Sequence, residues 1–323
     1  MPQELIHFKI AELTADRLAN TGFAGCLASR RPALLLGAIF HDALFYVRSR
    51  GAAPLEALAH RFHGVHGEDC LDLLRFQAHH AFSATDKDLA AAVFVGLSAH
   101  LYADATLHPM VWHFTGDYYA PSPKAGTMAR QRHRAIEGLM DRAACPEMFG
   151  SPAYHIGRLL KECPRLVPDG IPLTALAEQA GMTETGTEAA LRQALILFAR
   201  IQRACAAQLP SRIFNMLRPV LPDAARELEA LFHAPQRLRQ IGFLHGSIAY
   251  HHPVTGEPAT LALNDAMDRA AAQAADCCRQ FEGAIFDGKP VTMDTAPSME
   301  TGLTGVPADT MRHFAEPPFP DLS

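Results

Sequence analysis

The chain has one Trp and six Tyr in 323 residues, and its seven Cys form no Cys-x-x-Cys pair. An odd Cys count without paired spacing argues against a disulfide framework and against a thiolate zinc site, and favours reduced, buried thiols. Basic residues are in slight deficit, with 29 Lys plus Arg against 34 Asp plus Glu and a net charge of −5. The basic stripe that holds a polyanion is missing, so no nucleic-acid partner is expected. Long apolar runs are also missing. The longest, around Pro32 to Phe40, is too short to span a bilayer and ends in His41-Asp42, so no stable membrane insertion is expected. The start, Met-Pro-Gln-Glu-Leu-Ile-His, lacks a basic stretch followed by an apolar one, and the expected location is cytoplasmic.

Alternating β-branched runs are scarce, while Ala and Leu abound, so the fold class is expected to be all-α. With 49 % hydrophobic and 20 % charged residues, a sizeable core is available. Apolar periodicity predicts helices over about 5–20, 32–47, 67–80, 86–107, 128–142, 187–208, 235–250 and 261–286, among shorter ones. Residues 1–150 read as a metal-binding catalytic core and 151–287 as a helical extension packed on it. Residues 288–323 read as an extended Pro-rich arm, with Met299, Leu303, Met311 and Phe314 favouring packing; the three segments are also compatible with one domain.

Histidine is the residue in excess. Of 17 His, eleven lie within residues 1–150. His100, Asp104 and His108 stand four residues apart in an otherwise apolar helix, and residues at i and i+4 share a face. An isolated buried carboxylate is costly unless it is paired or bound to a cation, so the pattern points to a buried metal site. His133 and Glu137 repeat the i,i+4 spacing. Asp42 ends the apolar run, His7 opens the first helix, and His60, His63 and His66 cluster before Gly67. Of these three, His66 is taken as the ligand, with His60 and His63 left as outer or solvent-facing alternatives. His79, His80, His113, His155, His233 and His313 read as ordinary core or surface residues. Mixed imidazole and carboxylate donors suit zinc, with manganese or iron as other candidates.

The order Asp42, His66, His100-x3-Asp104-x3-His108, His133-x3-Glu137 resembles the bacterial zinc-dependent phospholipase C family, which is related to the single-strand-specific zinc nucleases. The likeness is carried by about residues 5–145. The segment His252 to Glu257 also looks like cytosolic phospholipase C-like relatives. The resemblance implies a multi-helix bundle with a metal cluster buried between helices. It implies Asp42, His66, His100 and Asp104 as ligands of a first zinc and His108, His133 and Glu137 as ligands of a second. His7 matches a ligand of a third zinc, with Asp104 as bridge. In the secreted members an N-terminal Trp completes that third site, and no matching Trp opens this sequence.

The implied activity is zinc-dependent phosphodiester hydrolysis of a small-molecule or lipid substrate. Two or three zinc ions would activate a water for in-line attack on phosphorus, with Asp42 orienting that water or acting as general base. Two other readings stay open. One is an HD-type metal phosphohydrolase, all-α as well, that uses His41 and Asp42 and leaves His133 and Glu137 idle. The other is a non-catalytic, metal-stabilised helical binding protein. Substrate-binding residues are not legible.

Overall fold

The structure, a computed structural model, describes residues 4–232 and 235–322, so His233 lies outside it. The first part of the chain forms α1 (Glu4–Arg17), α2 (Ala24–Ser29), α3 (Arg31–Gly37), α4 (Phe40–Ala43), α5 (Ala53–Phe62), α6 (Asp72–Ser83), α7 (Lys87–Thr115) and α8 (Pro123–Ala144). There follow α9 (Ile156–Glu162), α10 (Leu173–Ala180), α11 (Glu184–Ala206), α12 (Gln208–Leu217), α13 (Asp223–Glu229) and α14 (Pro235–Leu238). A hairpin of β1 (Ser247–His251) and β2 (Pro258–Ala262) precedes α15 (Leu263–Asp287). The fold is an all-α bundle, and this antiparallel hairpin is its only sheet among the described residues.

Helix α7 is the axis around which α1, α3, α6, α8 and α15 pack. It starts where Asp86 caps it, the carboxylate accepting from the Leu89 N–H at 3.0 Å. It is apolar on all sides because it is surrounded on all sides. Val93, Phe94, Leu97 and Leu101 are fully buried, each contributing roughly 1.5–3 kcal/mol of transfer free energy. By length and composition α7 would pass for a bilayer span, yet 89 % of its apolar window is buried inside the protein. The buried cluster around it draws residues from Leu5 to Met299. All seven Cys are buried and unpaired.

Two glycines set how closely α3 meets α7. A Cβ on Gly96 would stand 2.2 Å from the Leu34 carbonyl oxygen, and one on Gly37 2.5 Å from that of Val93. Only hydrogen at both positions lets the two backbones cross at this distance. The crossing places the end of α3 directly over His100.

Three local expectations are corrected. The helix expected to stop at 107 runs through Pro109 to Thr115. A proline inside a helix costs about 3 kcal/mol, and here the burial of Met110, Val111 and Trp112 on the far side opposes that cost. The helix expected over 32–47 breaks after Gly37 and again after Ala43, which turns Asp42 inward. Residues 235–250 form a short helix, a 3-10 turn and β1 instead of one helix. Gly246 at φ +80° ends the helical stretch, and Ile248 then pairs with Leu261 across the hairpin, both buried. His252 to Glu257 is the turn of that hairpin, closed by the His252 N–H donating to the Glu257 carbonyl at 2.8 Å.

The segment after α15 has no helix beyond a 3-10 turn at Ala308–Thr310. It nonetheless packs. Met299 and Met311 are buried, and its backbone N–H groups at Met299 and Ala308 donate to the carbonyls of His63 and Val65.

Candidate metal centre

Five helices or their ends bring ligand-type side chains to one buried place. α1 supplies His7 and α4 supplies Asp42. The C-terminal end of α5 supplies His63, α7 supplies His100, Asp104 and His108, and α8 supplies His133 and Glu137. Three sets have donor atoms within 4.8 Å of one another: His7, Asp42 and His100; His63, His100 and Asp104; and His108, His133 and Glu137.

Asp104 sits among the three. Its Oδ2 lies 3.2 Å from His100 Nε2 and 3.9 Å from His63 Nε2, while its Oδ1 lies 3.4 Å from His7 Nε2 and 3.6 Å from His108 Nε2. Glu137 Oε1 is 3.4 Å from His108 Nε2 and 3.2 Å from His133 Nε2. Asp42 Oδ1 is 3.5 Å from His63 Nε2.

These spacings fit a shared cation better than direct pairing. Charge-assisted N–H···O bonds run about 2.7–2.9 Å. Two donors on one tetrahedral zinc, each about 2.0–2.1 Å from it, stand about 3.4 Å apart. His100 Nε2 is buried and makes no hydrogen bond. A cavity of about 20 Å³ lies among His7, Asp104, His108 and Glu137, enough for one small ion. All the donors are imidazole nitrogens and carboxylate oxygens, a set that zinc accepts.

The imidazoles are oriented from behind. Nδ1–H donates to a backbone carbonyl in three of them: His63 to Ala59 at 2.6 Å, His100 to Ala38 at 2.8 Å and His108 to Met299 at 2.8 Å. A carbonyl only accepts, so Nδ1 carries a hydrogen and Nε2 is the nitrogen turned to the cluster, its lone pair available once that nitrogen is deprotonated. The Ala38 carbonyl reaches His100 because of the α3–α7 crossing at Gly37 and Gly96.

Without a metal, charge is balanced by protonation. Burial disfavours charging Asp104, but the His108, His100 and His7 imidazoles overcome it and hold the carboxyl well below the usual range. Asp42 is also lowered, burial being outweighed by His63 and His100. Burial likewise opposes charge on His108, yet the carboxylates of Asp104, Glu137 and Glu300 push it up to about 10. His100 is raised in the same way, with Asp104 overcoming burial. His7 falls to about 4, through burial and then repulsion from His100. His133 is lowered by burial. The metal-free centre therefore holds charged carboxylates beside a protonated His108, whose charge a divalent cation can replace.

The expectations for His7, Asp42, His100, Asp104, His108, His133 and Glu137 all fall on residues of this cluster. His66 does not. It is exposed, and its backbone N–H donates to Glu68 Oε2 at 2.8 Å. His63 takes its place, because α5 ends with that ring pointing inward while the chain turns through Gly64 before His66. His60 is exposed and packs edge-on against Phe45. His41 is fully buried with its ring stacked on His100, centroids 4.7 Å apart, and belongs to none of the three sets. His80 and His113 are satisfied by the carbonyls of Asp169 and His313.

Beside the cluster opens a cavity of about 210 Å³. Asp42, His63, His108 and His133 line its floor, and Phe45, Trp112, Tyr118 and Tyr119 give it aromatic walls. Arg130 and Arg134 reach it from α8, and Glu300 from the C-terminal arm. Glu227 on α13 holds both guanidinium groups, 2.8 Å from Arg130 Nε and 3.4 Å from Arg134. The cavity walls went unread in the sequence, although Arg130, His133, Arg134 and Glu137 share one face of α8 at i,i+3 and i,i+4 spacing.

Residues 6–165 match the family model described as zinc dependent phospholipase C. This stretch of the chain belongs to the zinc-dependent phospholipase C family. The matched stretch holds every member of the cluster. No curated protein and no solved structure matches the chain. Zinc is the metal the family's description names, and the three buried sets are the candidate places for a metal ion among the described residues.

Proposed function

We propose that the protein is a zinc-dependent phosphodiester hydrolase with His7, Asp42, His63, His100, Asp104, His108, His133 and Glu137 as its zinc ligands. The observation that carries this reading is the shared carboxylate of Asp104, whose two oxygens face different imidazoles, beneath a cavity bordered by two guanidinium groups. Zinc, when bound, supplies Lewis acidity to a phosphoryl oxygen and makes water a better nucleophile near neutral pH.

The chain's own residues supply the rest. Arg130 and Arg134 offer planar, permanently charged donors to an anionic phosphoryl group. Glu227 pairs with both guanidinium groups and limits their freedom at the cavity's border. Asp42 lies on the cavity floor with its carboxylate held in the charged form, where it orients a water or accepts its proton. The aromatic walls give an apolar surface to the alcohol portion of the ester. The substrate this favours is a phosphodiester with one apolar or aromatic-compatible side, a small soluble ester or a lipid headgroup.

The test is a panel of phosphodiesters, from small chromogenic diesters to phospholipid vesicles, presented to zinc-loaded protein. Hydrolysis that is lost on chelation and restored by zinc is expected. Chelation should also lower the melting temperature, since a ligand at 100 times its Kd stabilises by about 2.7 kcal/mol. Full zinc occupancy with no hydrolysis across the panel would replace this reading by a metal-stabilised binding protein.

A further inference from the structure

The arm after α15 lies outside the family-matched residues 6–165, yet it touches the centre at two of its histidines. The Met299 carbonyl accepts from His108 Nδ1 at 2.8 Å. The Met299 N–H donates to the His63 carbonyl at 3.1 Å, and Ser298 Oγ donates to the carbonyls of His63 and Gly64 at 3.3 Å. One residue of the arm thus bonds a histidine from the set containing His133 and Glu137 and a histidine from the set containing Asp42's neighbours His100 and Asp104. The next residue, Glu300, accepts from Trp112 Nε1 at 2.9 Å and forms part of the cavity wall.

The arm reaches this position through a close approach that only glycine permits. Gly302 has φ +69°, and a Cβ there would stand 2.7 Å from the Ala105 carbonyl oxygen and 3.1 Å from Pro109. Pro109 has no N–H, so the Ala105 carbonyl is the one that lacks its usual helical donor. The turn is closed on itself by Gly302 N–H to Ser298 carbonyl at 2.9 Å and Ser298 N–H to Leu303 carbonyl at 3.1 Å. The proline in α7 and the glycine in the arm face each other one turn from Asp104.

We propose that Ser298 to Gly302 is a clasp that positions His108 and His63 for zinc, so that zinc binding and docking of the C-terminal arm are coupled. Met299 and Ser298 are positioning residues: Met299 acts through the His108 imidazole, and both hold the His63–Gly64 backbone that carries the His63 ring; neither touches metal or substrate. If the His108 ring loses the Met299 carbonyl it is free to rotate or to present the wrong nitrogen, and loss of such a partner typically costs 10–100-fold in metal affinity. Coupling is reciprocal. If the docked arm tightens zinc, zinc must tighten the docked arm. The proposal rests on the zinc centre proposed above and adds a segment that the family-matched residues do not include.

The experiment uses the full chain, wild type and Gly302→Val, with Ser298→Ala as a milder variant. Zinc affinity is measured by competition with a chromophoric chelator, zinc content by elemental analysis, and amide hydrogen exchange of residues 296–308 with and without zinc. The clasp predicts at least a tenfold weaker zinc affinity in Gly302→Val, with one ion lost before the others and a smaller loss in Ser298→Ala. It also predicts faster exchange in the wild-type arm after chelation, reversed by zinc. A merely structural arm would lower the melting temperature of metal-free and zinc-loaded protein equally and leave zinc affinity unchanged. That result, or arm exchange indifferent to zinc in the wild type, overturns the clasp while the zinc centre stands. If the wild type takes up no zinc, the centre itself fails. Should Gly302→Val not fold, wild-type exchange and Ser298→Ala decide the question.

Discussion

His100 and Asp104 stand one turn apart on α7 with Nε2 and Oδ2 3.2 Å apart and no hydrogen bond to the imidazole nitrogen. That separation suits Asp104 to the bridge proposed for it, because its other oxygen is 3.6 Å from His108 on the next turn. Asp104→Asn keeps the shape and removes the charge from the side chain common to the centre. We expect a loss of at least one zinc per chain and a fall in activity of more than about 100-fold, larger than the loss of an outer partner produces. Elemental analysis of the purified variant checks it; wild-type metal content would rule the bridge out.

The neighbouring histidines of α5 and its loop separate cleanly. His63→Ala removes a buried ring 3.5 Å from Asp42 and is expected to lower zinc content and activity together. His66→Ala changes an exposed side chain and is expected to match the wild type in both, with stability within about 0.5 kcal/mol. The reverse ranking in metal content would return His66 to the centre.

His133 and His41 decide between two kinds of metal hydrolase. His133→Ala strips one of three donors from its set and should lose the ion held there. His41→Ala leaves every set intact. It should keep its zinc, with a stability cost from the cavity left beside His100, on the order of 2–4 kcal/mol for a large buried ring. Loss of zinc in His41→Ala with retention in His133→Ala would favour the HD-type arrangement.

Zinc uptake should release protons. In the metal-free protein His108, raised to about 10 by carboxylates that outweigh its burial, is charged at pH 8, and a ligand must be neutral. Binding heats at pH 8 should therefore depend on the ionisation enthalpy of the buffer, and the dependence should fade as the pH nears 10. The same shift has a sign for folding. His108 stabilises the metal-free fold fully below its unfolded value of about 6.5, and that contribution is lost as pH rises through about 10. Buffer-independent heats at pH 8 would contradict the protonated state.

Arg134→Ala tests the cavity and leaves the metal alone. Its guanidinium lines the cavity with Arg130 and pairs with Glu227. We expect unchanged zinc content and a drop in kcat/KM for a charged phosphodiester of roughly 10²-fold, the scale of removing one donor to developing charge. An unaltered kcat/KM would mean that the phosphoryl group sits elsewhere.

The candidate ligands on α7 and α8 were legible because a regular helix converts spacing into direction. His100, Asp104, His108, His133 and Glu137 stand at i,i+4 intervals, so each pair shares a face whatever the helix packs against. His63 and His66 were not separable in this way. They lie where α5 ends and the chain turns through Gly64 at φ +70°, and a turn's direction depends on contacts such as those of Met299 and Ser298. Pro109 misled for a related reason: its local cost is real, but the burial of Trp112 and its neighbours is set by the whole bundle.

By itself the sequence determined an all-α chain with a metal-ligating face on two helices, since periodicity and donor chemistry are local properties. Tertiary structure decided which histidine of the α5 loop joins the centre, that Asp104 faces imidazoles with both oxygens, and that Met299 of the arm lies behind His108. Those are relations between segments far apart in the chain. They are fixed by close approaches such as Gly96 on Leu34 and Gly302 on Ala105, which have no signature in the spacing of residues along one helix.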